Sequence, residues 1–109
     1  MKLTNIDFQI VDWAQIPTQV FAGEAGTAIW RVRQVGDIRI RMIEYSVGYR
    51  ADHWCEKGHL LLCLEGTLET EFPDGRVVVL TPSMSYFVAD GIQPHRSSAR
   101  SGAKLYIVD

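Results

Sequence analysis

Apolar and polar residues alternate with a period of two through much of the chain. From Thr27 to Tyr45 it reads Thr-Ala-Ile-Trp-Arg-Val-Arg, then Gln-Val-Gly-Asp, then Ile-Arg-Ile-Arg-Met-Ile-Glu-Tyr. Two runs rich in β-branched and aromatic residues flank a Gly36-Asp37 turn, which is the pattern of a hairpin. The alternation sets Ile38, Ile40 and Met42 on one face and Arg39 and Arg41 on the other, so the sheet there is half solvated or lines a polar cavity. Further short β-rich runs follow: His59 to Leu64, Thr67 to Phe72, Arg76 to Leu80, Met84 to Val88 and Lys104 to Val108. Breaks with turn chemistry separate them, among them Pro73-Asp74-Gly75 and Thr81-Pro82-Ser83. Residues 1–26 show no clean period and read as an irregular arm that covers one face of the domain or reaches a partner subunit. The expected fold is all-β, with residues 27–109 forming its body.

The totals leave this picture intact and narrow the function. A chain of 109 residues with 47% hydrophobic and 22% charged residues is one ordinary globular domain. Eleven basic against thirteen acidic side chains, with no Lys/Arg run, lack the footprint of a nucleic-acid or anionic-membrane binder. No apolar run is long enough for a secretory leader or a bilayer span, so the expected location is the cytoplasm. In that reducing compartment the two cysteines, Cys55 and Cys63, read as a ligand and a core thiol rather than a disulfide.

Chemistry concentrates in His53-Trp54-Cys55-Glu56-Lys57-Gly58-His59. On an extended strand His53 and Cys55 point to the same face. A three-residue loop with Gly58 in the left-handed position then sets His59 across from Cys55, close enough for a thiolate and an imidazole to meet at one metal. In that register Cys63 falls opposite Ala51, too far from Cys55 for a disulfide. The strand from His59 to Leu64 is apolar on both faces apart from His59. An unpaired buried imidazole is costly there, and a metal satisfies it. A backbone or carboxylate hydrogen bond, with Asp52 or Glu65 as partner, does so too. All three histidines, His53, His59 and His95, belong to the candidate set, yet spacing alone does not bring His95 to the hairpin.

These residues resemble the cupin superfamily, whose first motif runs from a Gly through His-x-His and a Glu to a second Gly. Here Gly48, His53, Cys55, His59 and Gly66 occupy that frame, with Cys55 in place of the second His and His59 in place of the Glu. The second motif is matched loosely by Gly91 and His95, with one inserted residue and without the motif's first Gly, its Pro or its Asn. The likeness is closer to small DHCW-motif cupins. Their pattern is similar to Asp52-His53-Trp54-Cys55, Lys57-Gly58-His59, Leu64-Glu65-Gly66, Asp74-Gly75-Arg76, Met84-Ser85-Tyr86, His95-Arg96-Ser97 and the stretch from Gly102 to Asp109. The resemblance implies a single-domain jelly-roll barrel, a homodimer, and His95 as a fourth ligand beside His53, Cys55 and His59.

One thiolate with imidazoles suits a divalent transition metal (zinc, nickel, cobalt or iron) and argues against calcium or magnesium. Tyr86, Arg96, Arg41 and Glu44 are candidates for binding a carboxylate or moving a proton, although solvated strand faces or hydrogen bonds supporting the ligands explain each of them better. Two functions follow. One is a metal-dependent enzyme, an oxygenase or isomerase of a small polar metabolite, which needs an open coordination position. The other is a non-catalytic metal- or ligand-binding module, which tolerates a closed one.

Overall fold

A computed structural model describes residues 2–109. Ten strands form two antiparallel sheets: β1 (Gln19–Ala22), β2 (Thr27–Val35), β3 (Ile38–Tyr45), β4 (Tyr49–Arg50), β5 (His59–Gly66), β6 (Leu68–Glu71), β7 (Val77–Leu80), β8 (Ser85–Val88), β9 (Arg96–Ala99) and β10 (Ala103–Val108). One sheet has the order β1-β2-β3-β10-β5-β8 and the other β4-β9-β6-β7. The chain switches repeatedly between them, as a jelly roll does. Among the described residues no helix is long and apolar enough to cross a membrane.

The expected β2–β3 hairpin is present, closing from Val35 to Ile38 through Gly36 at a φ of 58°. Its polar face turns inward. Arg41, Ile43 and Tyr45 are buried and Arg39 is partly so, and both arginines line a cavity. By the same alternation Glu44 is exposed, and it is not among the residues lining that cavity.

The arm is less irregular than its sequence suggests. A 3-10 turn at Trp13–Gln15, capped by the Asp12 side chain, and strand β1 both lie within residues 1–26. β1 has no internal alternation to announce it because all four of its residues are exposed. Cross-strand pairing of Gln19 through Ala22 with Trp30 through Thr27 specifies it instead.

The core fills one end of the barrel. Leu68, Leu105 and Cys63 are fully enclosed there, with Ile43, Leu61, Leu80, Ala99 and Ile107 around them. Tyr45 and Tyr49, part of the same cluster, stack at 4.0 Å between ring centroids and also line a cavity that holds polar side chains. β5 is buried on one face only. His59, Leu61 and Cys63 point inward while Leu60 and Leu64 stay exposed, contrary to the expectation of a strand covered on both sides.

Candidate metal centre

Cys55 and His95 meet by backbone pairing. β4 and β9 pair at Tyr49↔Ala99 and Arg50↔Ser98, and after an interruption the two segments pair again at an isolated bridge, Cys55↔His95. His59 arrives from the other sheet, as the first inward residue of β5, where it pairs with Val88. The expected 53–59 hairpin is therefore absent: Cys55 faces His95, and Cys63 does not pair with Ala51. Gly58 serves a close approach rather than a left-handed turn. A Cβ there would lie 2.6 Å from Asp90 N, and the Gly58 N–H donates to the Asp90 carboxylate. That packing ties the start of β5 to the loop after β8, which overrides a local turn.

The ligand atoms of Cys55, His59 and His95 all lie within 4.8 Å of one another. Two ligands at about 2.0–2.3 Å from one ion stand at most about 4.6 Å apart, so a small inward movement closes the set on a metal. The hydrogen bonding fits. His95 Nδ1 donates to the Gln93 carbonyl at 2.9 Å, and its Nε2 is buried with no partner. His59 Nε2 lies 2.9 Å from the Tyr86 hydroxyl, and its Nδ1 is likewise buried and unpartnered. A ring nitrogen anchored to a carbonyl or hydroxyl while the other stays free is the usual state of a metal-ligating histidine.

The protonation states of Cys55 and His59 favour ligation, whereas His95, held toward its protonated form by the Cys55 contact, gives up that proton to coordinate. Interaction with the neighbouring His95 ring holds the Cys55 thiol below its ordinary value against the effect of burial, and the same contact raises His95. Burial pushes His59 down to about 4, helped by the charges of His95 and Arg41, so it is neutral at pH 7. Cys63, by contrast, is raised by burial alone and belongs to the core, as its sequence context implied.

His53 is not brought into this group. Its side chain is exposed at the mouth of the same cavity, with Nδ1 2.7 Å from Asp52 Oδ1. Among the remaining candidates, Tyr86 and Arg41 line the cavity, the first partly buried and the second buried, and Arg96 lines it while paired with Glu71 at 3.3 Å. The Arg96 guanidinium lies 4.6 Å from the Trp54 ring centroid. Two charged residues of the lining, Arg39 and Asp109, are not among the candidates the sequence offers. The matched alternation of Arg39 with Arg41 was the available signal for one of them. Nothing local distinguishes Asp109.

A jelly roll that gathers cysteine and histidine side chains at one end of its interior has the architecture of a cupin, and the solved structures it matches show that fold. An RmlC-like cupin from Shewanella frigidimarina matches at a TM-score of 0.70 and 17% identity, over 96% of this chain and 92% of that one. A predicted oxalate decarboxylase from Thermotoga maritima matches at 0.78 and 11%, over 92% and 96%. The polyketide cyclase RemF from Streptomyces resistomycificus matches at 0.78 and 20%, over 94% and 78%. No protein-family profile and no curated sequence matches the chain. At such identities the likeness is one of fold, and the chemistry has to be argued from the site.

Proposed function

We propose that the protein is a metal-dependent cupin enzyme, an oxygenase or isomerase of a small polar metabolite, with one divalent transition metal held by Cys55, His59 and His95. The observation that carries this reading is the convergence of three ligand atoms within 4.8 Å on the wall of an open cavity. Three protein ligands leave one position free around a tetrahedral ion and three around an octahedral one. Such an ion supplies Lewis acidity and a place for substrate to coordinate.

The chain's own residues supply the rest. With His59 Nε2 at the Tyr86 hydroxyl and Nδ1 buried without a partner, Nδ1 is the nitrogen that would hold the ion, and Tyr86 would set the orientation of that ring. His53 reaches a fourth position only by turning away from Asp52. The predicted oxalate decarboxylase from T. maritima and the Streptomyces cyclase are named as catalysts, so a fold like this one is compatible with an enzyme. Elemental analysis with X-ray absorption on purified protein tests the proposal. The expected result is one ion per chain with exchangeable water among its ligands. A closed tetrahedral zinc with four protein ligands refutes catalysis at the ion and favours a binding module.

A further inference from the structure

The inward face of β3 and the end of β10 hold a cationic group that metal binding leaves unused. Arg41 is only 7% exposed. Its guanidinium lies 4.6 Å from the Trp30 ring centroid and donates from Nη2 to Asp109 at 3.0 Å, while its Nε has no partner. Arg39 donates to both oxygens of the same carboxylate, at 3.0 and 2.9 Å. Two guanidiniums thus share one carboxylate, and Asp109 is the only acidic side chain lining the cavity among the described residues. Arg96 is already matched by Glu71, and Lys57 adds a further cation to the lining.

A divalent ion and two arginines against one thiolate and one carboxylate leave two positive charges over among side chains and metal. A buried guanidinium with a free N–H is satisfied by an anion, and a carboxylate matches its planar fork. The cavity measures about 150 Å³. That is room for about five waters at liquid density, hence for a ligand of about two to four carbons. We propose that this cavity binds a small carboxylate anion, its carboxylate on Arg41 and Arg39 and its other polar end toward Cys55, His59 and His95. The second contact rests on the metal-enzyme reading; the first stands on the arginines alone.

Lactate and pyruvate, with lactamide and 1,2-propanediol as neutral counterparts, are the probes. They are titrated into metal-loaded and metal-free protein, followed by calorimetry and by the fluorescence of Trp30, which Trp30→Phe assigns. The acids bind at least tenfold more tightly than the neutral compounds in the loaded protein, and the preference persists, weaker, without metal. Arg41→Met lowers acid affinity at least tenfold with metal content unchanged, and Arg39→Gln lowers it less. Equal binding of acids and neutral compounds by the unaltered protein, or no binding of any probe, overturns the proposal whatever the variants do. Acid binding by a protein that takes up no metal supports the arginine contact and overturns the metal reading alone.

Discussion

Replacing Asp109 by Asn removes one charge without changing shape and leaves two cations facing each other. The Asp109 side chain is fully enclosed, that of Arg41 is 9% exposed and that of Arg39 is 32% exposed. Removing one member of a buried ion pair costs about 3–5 kcal/mol, because the partner stays desolvated and unpaired. Arg39 can turn toward water and recover part of its hydration, whereas Arg41 is held in the barrel wall over Trp30. The low end therefore applies, about 3 kcal/mol. With a urea slope of about 1.5 kcal/mol per molar, the unfolding midpoint drops by about 2 M.

The pH dependence of that loss follows from the sign of the Asp109 shift. Burial opposes its ionisation, but the hydrogen bond from Arg39 and the charges of Arg41 and Arg39 together outweigh it, so its folded value lies below the ordinary one. A depressed carboxylate contributes stability that is complete above the unfolded value and is lost as pH falls through the folded one. The gap between native protein and Asp109→Asn should thus be full at pH 7 and close below about pH 4. Adding Arg41→Met to the Asn variant removes the stranded cation and restores about 1–2 kcal/mol, although the same change destabilises the native background. A midpoint unmoved by Asp109→Asn, or a gap of constant size from pH 7 to pH 3, refutes this account of the cavity wall.

Three other outcomes are expected. His95→Ala or Cys55→Ser lowers metal affinity at least about 100-fold, Tyr86→Phe about tenfold, and Cys63→Ser and His53→Ala leave metal content unchanged, all read by elemental analysis and competition with a chelator. In metal-free protein His59 stays neutral when folded, with its value at about 4, so the unfolded chain binds more protons between pH 6.5 and 4. Stability falls by about 2–3 kcal/mol across that window, measured by urea unfolding, whereas the raised His95 acts in the opposite sense and mainly above it. Finally, edge strand β1 exposes Val20 and Phe21, and the arm before it exposes Phe8 and Ile10. Light scattering is expected to give twice the chain mass, falling to the single-chain mass in a Val20→Lys, Phe8→Ser variant.

Alternation and turn residues are enough to read the β2–β3 hairpin and strands β5, β6, β7, β8 and β10, because side chains on a strand report which face is covered, but β1, β4 and β9 carry no such signal. Alternation is not enough to say what covers a face, and Arg39 and Arg41 look the same whether they meet water or a cavity. The ligand set was legible in part for a related reason. Cys55, His59 and His95 converge, but spacing offers the 53–59 segment a local hairpin when its partners lie about thirty to forty residues away, just before β9 and in the loop after β8. Local spacing cannot weigh such long-range pairing against a turn that the same residues permit. His53 shared a face with Cys55 only under that assumed strand. In the folded chain residues 51–54 form no continuous strand and Asp52 takes its ring. Asp109 was invisible because its role comes from the register of β10 against β3, which brings it beside Arg39.

The two hydrogen bonds exchanged between Cys55 and His95 carry a consequence for handling the protein. Each N–H donates to the other residue's carbonyl, at 2.7 and 3.0 Å, so the pair is zipped together by main chain alone. The metal-free chain should therefore keep this cradle of Cys55 and His95 in place, with little of their entropy left to lose if an ion binds there as proposed. The affinity of an added metal then appears almost undiluted as extra resistance to unfolding, about 2.7 kcal/mol at a free concentration one hundred times its Kd. A melting curve thereby becomes a ruler for metals: the order in which zinc, nickel, cobalt and iron raise the midpoint at equal concentration ranks what this cradle prefers to hold.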